Sequence, residues 1–188
     1  YEQGQSFTCD GNLDRQIFVS MISDNGTLEW LSTGGSHNRD SGEAVALGED
    51  GTAYVTGYYC DDSFTGTQYG CQLSLGSHSA TPCVGGGTCD RGEKRTFVAA
   101  IDRNGTWTSL LAAGRDFQVE SSGGGLALDG SGGLYVSGWF DLTYDWCGMN
   151  IGSDCLSANS SDWRAGFLAK IEVSTGGMGW EWARAIDG

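Results

Sequence analysis

Residues 42–59 read GEAVALGEDGTAYVTGYY, and residues 124–140 read GGLALDGSGGLYVSGWF. Both carry a small apolar run, an acidic-glycine turn, and then Tyr-Val-Thr/Ser-Gly-aromatic. Tyr54 corresponds to Tyr135, 81 residues on. Self-similarity at such a spacing marks a structural repeat. Each copy reads as strand, tight turn, strand, because β-branched and aromatic residues flank a turn rich in Gly and Asp.

Working outward, residues 17–22 (IFVSMI) and 27–33 (TLEWLST) read as two strands joined by Asp24-Asn25-Gly26. An Asn-Gly pair there predicts a type I′ hairpin turn. A polar loop over 34–40 follows. The next cycle has strands at 44–47 and 53–58, a long insert over 60–95, then strands at 97–101 (FVAAI) and 106–112. The last cycle has strands at 126–128 and 134–140, a shorter insert, then 167–171 (FLAKI) and 179–185. Phe18, Phe97 and Phe167 correspond, and their spacing varies because the insert varies.

The count is ten strands, or two and a half four-stranded units: 1–40 an outer half, 41–120 a unit with a Cys-rich insert, and 121–188 a third. A four-stranded antiparallel unit cannot bury both faces alone. Radial repetition solves that, so the expected fold is all-β, a β-propeller-like array of four-stranded antiparallel blades forming one repeat domain over 1–188. A β-sandwich would need no repeated motif at long spacing.

Composition agrees. Of 188 residues, 32 are Gly and one is Pro, while Trp, Tyr and Phe number 7 each; this suits short strands with frequent turns. The net charge of −14, with Lys94 and Lys170 the only lysines, argues against nucleic acid or an anionic membrane as partner, since both need a basic face. No apolar run approaches the roughly 18 residues of a membrane span. The chain starts at Tyr1, which we read as a processed product or a fragment.

The combination Phe-Val-Ala-x-Ile-Asp-x-Asn-Gly, then Trp, Gly-Gly, Ala-x-Ala-Leu and Gly-x-x-Tyr-Val-Thr-Gly resembles the repeat of extracellular bacterial and archaeal β-propellers, the seven-bladed-propeller repeat type. The resemblance covers nearly all of the chain outside 60–95. It implies the blade fold and an extracellular or cell-surface address. It carries no catalytic residues, and no enzymatic activity is expected. A ring needs at least about four blades, so two and a half imply further blades or further copies.

Seven cysteines, none in a CxxC pair, lie in Gly/Ser/Asp-rich loops. Disulfides in an oxidising compartment account for them better than zinc. Aligning the repeats matches Cys71 with Cys147, and Cys83 and Cys9 with Cys155. The pairing inferred is Cys147–Cys155, Cys71–Cys83 and Cys60–Cys89; its rival is Cys60–Cys71 with Cys83–Cys89. Cys9 is left as a free or intermolecular thiol.

Three sequons occur, at Asn25, Asn104 and Asn159. The first two also suit plain turn chemistry, whereas Asn159 sits in a Ser-rich loop and is the better glycan acceptor. The turns Glu49-Asp50-Gly51, 102–105 and 129–132 read as structural. Calcium is the alternative, but no turn has a third carboxylate at the right spacing, and no cofactor is expected. His37 and His78 have no partners suggesting a metal or a triad.

The loop between the fourth strand and the next first strand carries Arg39 and Asp40 in one repeat, and Arg115 and Asp116 in the next. These read either as ion pairs tying neighbouring blades or as a polar binding rim for glycans, aided by Trp139 or Trp163. Trp30, Trp107 and Trp180 recur with the repeat and read as packing residues. The function expected is a secreted structural or adhesive propeller protein, or a fragment of one. It would associate with other copies or chains into an extracellular assembly, a filament being one form. A carbohydrate-binding module is the alternative.

Overall fold

The computed structural model describes residues 15–61, 72–81, 93–113, 120–141, 149–157 and 163–186. All its regular structure is β. Strands β1 (Ile17–Ile22) and β2 (Leu28–Gly34) form a two-stranded sheet. Strands β3 (Arg39–Leu47), β4 (Ala53–Asp61), β7 (Arg95–Ile101) and β8 (Trp107–Ala113) form a four-stranded antiparallel meander in that order. Strands β9 (Ser121–Leu128), β10 (Gly133–Asp141), β13 (Arg164–Ser174) and β14 (Gly177–Ile186) form a second. Among the described residues these sheets do not close into a barrel or ring.

The ten expected strands are present, but β3 and β9 each begin five residues earlier than expected, so Arg39 and Asp40 stand in a strand and not in the polar loop expected over 34–40. Two short hairpins were not expected. They are β5 (Leu73–Leu75) with β6 (His78–Ala80), and β11 (Met149–Ile151) with β12 (Asp154–Leu156), and both lie in the inserts. Their sequences, LSLGSHSA and MNIGSDCL, share an apolar-x-apolar-Gly-Ser pattern. Gly76 and Gly152 take the same φ of 59° and lie against Trp107 and Trp180. Each insert hairpin therefore sits on the tryptophan of the outermost strand of its own sheet. By this equivalence Cys155 stands opposite Ser79.

The hairpin turns differ from the type I′ expectation. At 23–27 the Gly26 amide donates to the Ser23 carbonyl (2.8 Å) and the Ser23 amide to the Thr27 carbonyl (2.9 Å). Gly26 has φ 83°, while Asn25 does not have a positive φ. This is a three-residue loop with a glycine bulge, and only the glycine needs the left-handed region. The same pattern recurs at 48–52 and 102–106, through Gly51 and Gly105. A side-chain oxygen caps each turn: Asn25 Oδ1 accepts from the Thr27 amide (3.1 Å), and Asp50 Oδ1 from the Thr52 amide (2.9 Å). Asp102 Oδ1 accepts from the Asn104 and Thr106 amides (2.9 Å each). These hydrogen bonds hold the carboxyls of Asp50, Asp102 and Asp129 below their usual range.

Two cores lie between successive sheets. The first is built from Ile17, Val55, Tyr59, Leu73, Leu75, Phe97, Ala99, Ile101 and Trp107. The second is built from Tyr54, Val98, Ala100, Leu134, Val136, Phe140, Phe167, Ala169 and Ile171. Strand alternation explains the division. Odd-numbered positions of β7 face the β1–β2 sheet, and even-numbered positions face the third sheet. Close approach is allowed by glycine: a Cβ on Gly123 would collide with the Thr56 hydroxyl.

Candidate functional site: an open sheet end and a charged rim

The registers align the three repeats residue by residue. Phe97, Ala99, Ile101 and Trp107 correspond to Phe167, Ala169, Ile171 and Trp180, and to Phe18, Ser20, Ile22 and Leu28. In the second and third sheets this face is covered by the preceding sheet, and Phe97 and Phe167 are both 0% exposed. In the first sheet Phe18 is 70% exposed, Ile22 62% and Leu28 44%. The same chemistry is present, but among the described residues no layer covers it.

A second uncovered feature adjoins it. Strand β1 corresponds to β7 and β13, and those strands pair on both edges: β7 with β4 and β8, β13 with β10 and β14. Among the described residues β1 pairs only with β2. Val45 and Leu47 of β3 lie exposed beyond that edge. Their counterparts, Leu126 and Leu128 of β9, are partly buried against the second sheet.

The opposite end is finished differently. The outer face of the third sheet carries Tyr135, Lys170, Trp182 and Arg184. Tyr135 and Trp182 meet edge to face at 6.1 Å, and the Arg184 guanidinium lies 5.9 Å from the Trp182 ring. Lys170 Nζ is 2.9 Å from the Glu181 carboxylate, which raises the lysine's pKa. Leu168 and Ile186, the latter 52% exposed, share this face, so it mixes charged and apolar groups where the Phe18 face is apolar.

The rim at the insert end holds a repeated ion set. Arg15, Lys94 and Arg164 occupy equivalent positions just before or at the start of the third strand of each repeat. Lys94 lies 5.1 Å from the Tyr58 ring centroid and 3.6 Å from Asp61. Arg164 stacks 4.0 Å over Trp139, reaches Asp141 at 2.7 Å and Glu120 at 3.5 Å. Burial, with Asp141 and Asp61 nearby, raises the Glu120 carboxyl, while Lys94 and Arg164 partly offset this. The carbonyls of Arg15 and Lys94 accept from the amides of Asp40 (2.9 Å) and Ser121 (3.0 Å) of the following sheet. Successive sheets are thus stitched at this end by the backbone.

The expected rim residue Asp40 is not on the rim. It is 1% exposed, where it accepts from the Ser36 amide (2.5 Å), the Ser36 hydroxyl (2.7 Å) and the Cys60 amide (3.1 Å). It is an internal anchor that fixes a strained bend, because Cys60 has φ 80°. Burial also holds the Tyr59 phenol well above its ordinary pKa, opposed by Arg95 and reinforced by Asp40. Arg39 is half-buried and paired in register with Asp61. Trp163 is 70% exposed. Trp30, Trp107 and Trp180 all pack against the cores, but Trp30 is not the repeat equivalent of the other two, because Leu28 holds that register position; Trp30 Nε1 donates to the Arg103 carbonyl (2.9 Å) of the next sheet.

Cys60 and Cys155 are both half-cystines. Cys9, Cys71, Cys83, Cys89, Cys147, Asn159, Arg115 and Asp116 lie outside the described residues. Asn25 and Asn104 are exposed on their turns. Among the described residues no three His, Cys, Asp or Glu side chains gather as metal ligands, and no helix is long and apolar enough to cross a membrane. Comparison with protein-family models and with curated proteins finds no match.

Proposed function

We propose that this chain is a structural module of an extracellular, propeller-like assembly, and that it joins other copies or chains through its apolar end. The observation that carries this reading is the contrast at one repeat position: Phe18 is 70% exposed while Phe97 and Phe167 are 0% exposed. Contiguous exposed apolar side chains mark interaction surfaces on proteins that otherwise expose them singly. The net charge of −14 keeps the remaining surface soluble. Stapling by the pairs Cys147–Cys155 and Cys60–Cys89 or Cys60–Cys71 belongs to this proposal, as does glycosylation at Asn159. The rim supports scaffolding more than glycan binding, because Arg164 and Lys94 are already committed to Asp141, Glu120, Trp139, Asp61 and Tyr58.

The charges on the outer face of the third sheet, Lys170 with Glu181 and Arg184 beside Trp182, favour association at the Phe18 end over an indefinite head-to-tail filament. The test is mass by light scattering, across a concentration series, for the wild-type chain and a Phe18→Glu/Ile22→Glu variant. The expected result is wild-type association that the variant abolishes while keeping its circular dichroism. A wild-type chain that stays a 19.8 kDa monomer throughout, or a variant that associates equally, overturns the proposal.

A further inference from the structure

We infer that the open edge of β1 and the exposed pair Val45–Leu47 together form a docking site for a β-hairpin of the repeat's own inner-half pattern, supplied by polypeptide outside these 188 residues. This rests on the modular reading above but concerns a different surface from the Phe18 face.

Three observations carry it. The first is pairing: β7 and β13 each accept an inner strand on the edge that β1 leaves unpaired among the described residues. The second is cover: Leu126 and Leu128, counterparts of Val45 and Leu47, pack against the complete second sheet, whereas Val45 is 64% and Leu47 62% exposed beside the half-sheet. The missing cover is therefore the layer that an inner hairpin would add beside β1. The third is number. Among the described residues there are three outer strand pairs (β1–β2, β7–β8, β13–β14) and two inner pairs (β3–β4, β9–β10), both already used. A second copy brings the same deficit, so strand exchange between copies leaves one outer pair per chain uncovered. Among the described residues neither this chain nor a second copy has a spare inner pair, so the occupant we propose is other sequence.

The existing registers fix how it would sit. Gly138, Val136 and Leu134 pair with Phe167, Ala169 and Ile171. The docked hairpin would place the equivalent Gly, Val and Leu opposite Phe18, Ser20 and Ile22. Glycine is required opposite the phenylalanine: a Cβ on Gly138 would lie 2.6 Å from Cε1 of Phe167. The opposite side of the hairpin, with the tyrosine, would cover Val45 and Leu47. This is strand addition, in which main-chain bonds give affinity and alternate side chains give register.

The probe is a fluorescent synthetic peptide of residues 123–141, which contains no cysteine, titrated into the full chain with its disulfides intact. The expected result is saturable 1:1 binding with a Kd below about 1 mM. Binding should weaken at least about tenfold, near 1.4 kcal/mol, for Val45→Asp/Leu47→Asp, two exposed positions whose change leaves the fold intact. It should also be lost when the peptide amides facing β1 are N-methylated, and persist in the Phe18→Glu/Ile22→Glu variant. Failure to saturate by about 1 mM, or equal binding by the Val45/Leu47 variant or the methylated peptide, overturns the docking site. If the chain still associates through the Phe18 face in those cases, the modular reading stands and only the hairpin site falls.

Discussion

Truncation of the three equivalent phenylalanines tests the repeat alignment and the open end together. Phe97 and Phe167 are fully buried, in the first and second cores. Phe→Ala at such sites removes the transfer term and leaves a cavity, costing about 3–5 kcal/mol. Phe18 keeps 70% of its surface in water, so the same change should cost below about 1 kcal/mol, in proportion to the area it buries. In a domain of this size each kcal/mol moves Tm by about 2–4 °C, so Phe97→Ala and Phe167→Ala should each lower it by roughly 6–20 °C. Phe18→Ala should lower it by less than about 4 °C. The assay is thermal melting by circular dichroism at the lowest usable concentration, where association contributes least. If Phe18→Ala costs as much as Phe97→Ala in the dilute chain, the face is already covered and the open end is not real. If Phe97→Ala is harmless, the core assignment fails.

Four further outcomes are expected. Gly138→Ala should destabilise by about 1–3 kcal/mol through overpacking, because its Cβ would collide with the Ser122 carbonyl and the Phe167 ring. Gly124→Ala, with nothing within 4 Å, should be neutral or slightly stabilising; equal denaturation midpoints for the two would refute the close-packing argument. Asp40→Ala should cost about 2–4 kcal/mol, since it orphans the Ser36 and Cys60 amides, and a change under about 0.5 kcal/mol in urea melts would contradict the anchor role. The depressed carboxyls of Asp50, Asp102 and Asp129 stabilise the ionised folded state above their unfolded value of 3.8. That contribution is lost as pH falls through their folded values, so replacing all three with Asn should flatten the decline in Tm below about pH 4; an unchanged slope would refute it. Glu120 has the opposite sign: its raised carboxyl favours the protonated folded state, so Glu120→Gln should remove a loss of stability that sets in as pH rises through the normal glutamate range.

Strand order and the core were legible because the repeat imposes a period-2 pattern three times, anchored at Phe18, Phe97 and Phe167. Phe18 also shows what a pattern leaves open: its sequence context matches its buried counterparts, and only the neighbouring layer decides exposure. The turn type was misread because Asn-Gly serves both the type I′ turn and the glycine bulge, and the choice depends on a one-residue shift in strand pairing. Asp40 was misplaced because a polar loop residue and a buried cap look alike until the Cys60 amide is brought to it from β4, 20 residues away. The insert hairpins were missed although LSLGSHSA and MNIGSDCL share a signal. Three-residue strands are too short for alternation to stand out, and only the tryptophan beneath each glycine distinguishes them.

The outer face of the third sheet differs from the Phe18 face in carrying paired charge. Arg184 beside the Trp182 ring and Lys170 held by Glu181 put charge among the apolar groups of that face, and another sheet packed there would have to desolvate it. If the chain joins others through its Phe18 end, as proposed, its two ends are not interchangeable. Under that proposal the total number of sheets would be decided by whatever covers the Phe18 face, and length control would rest with the partner.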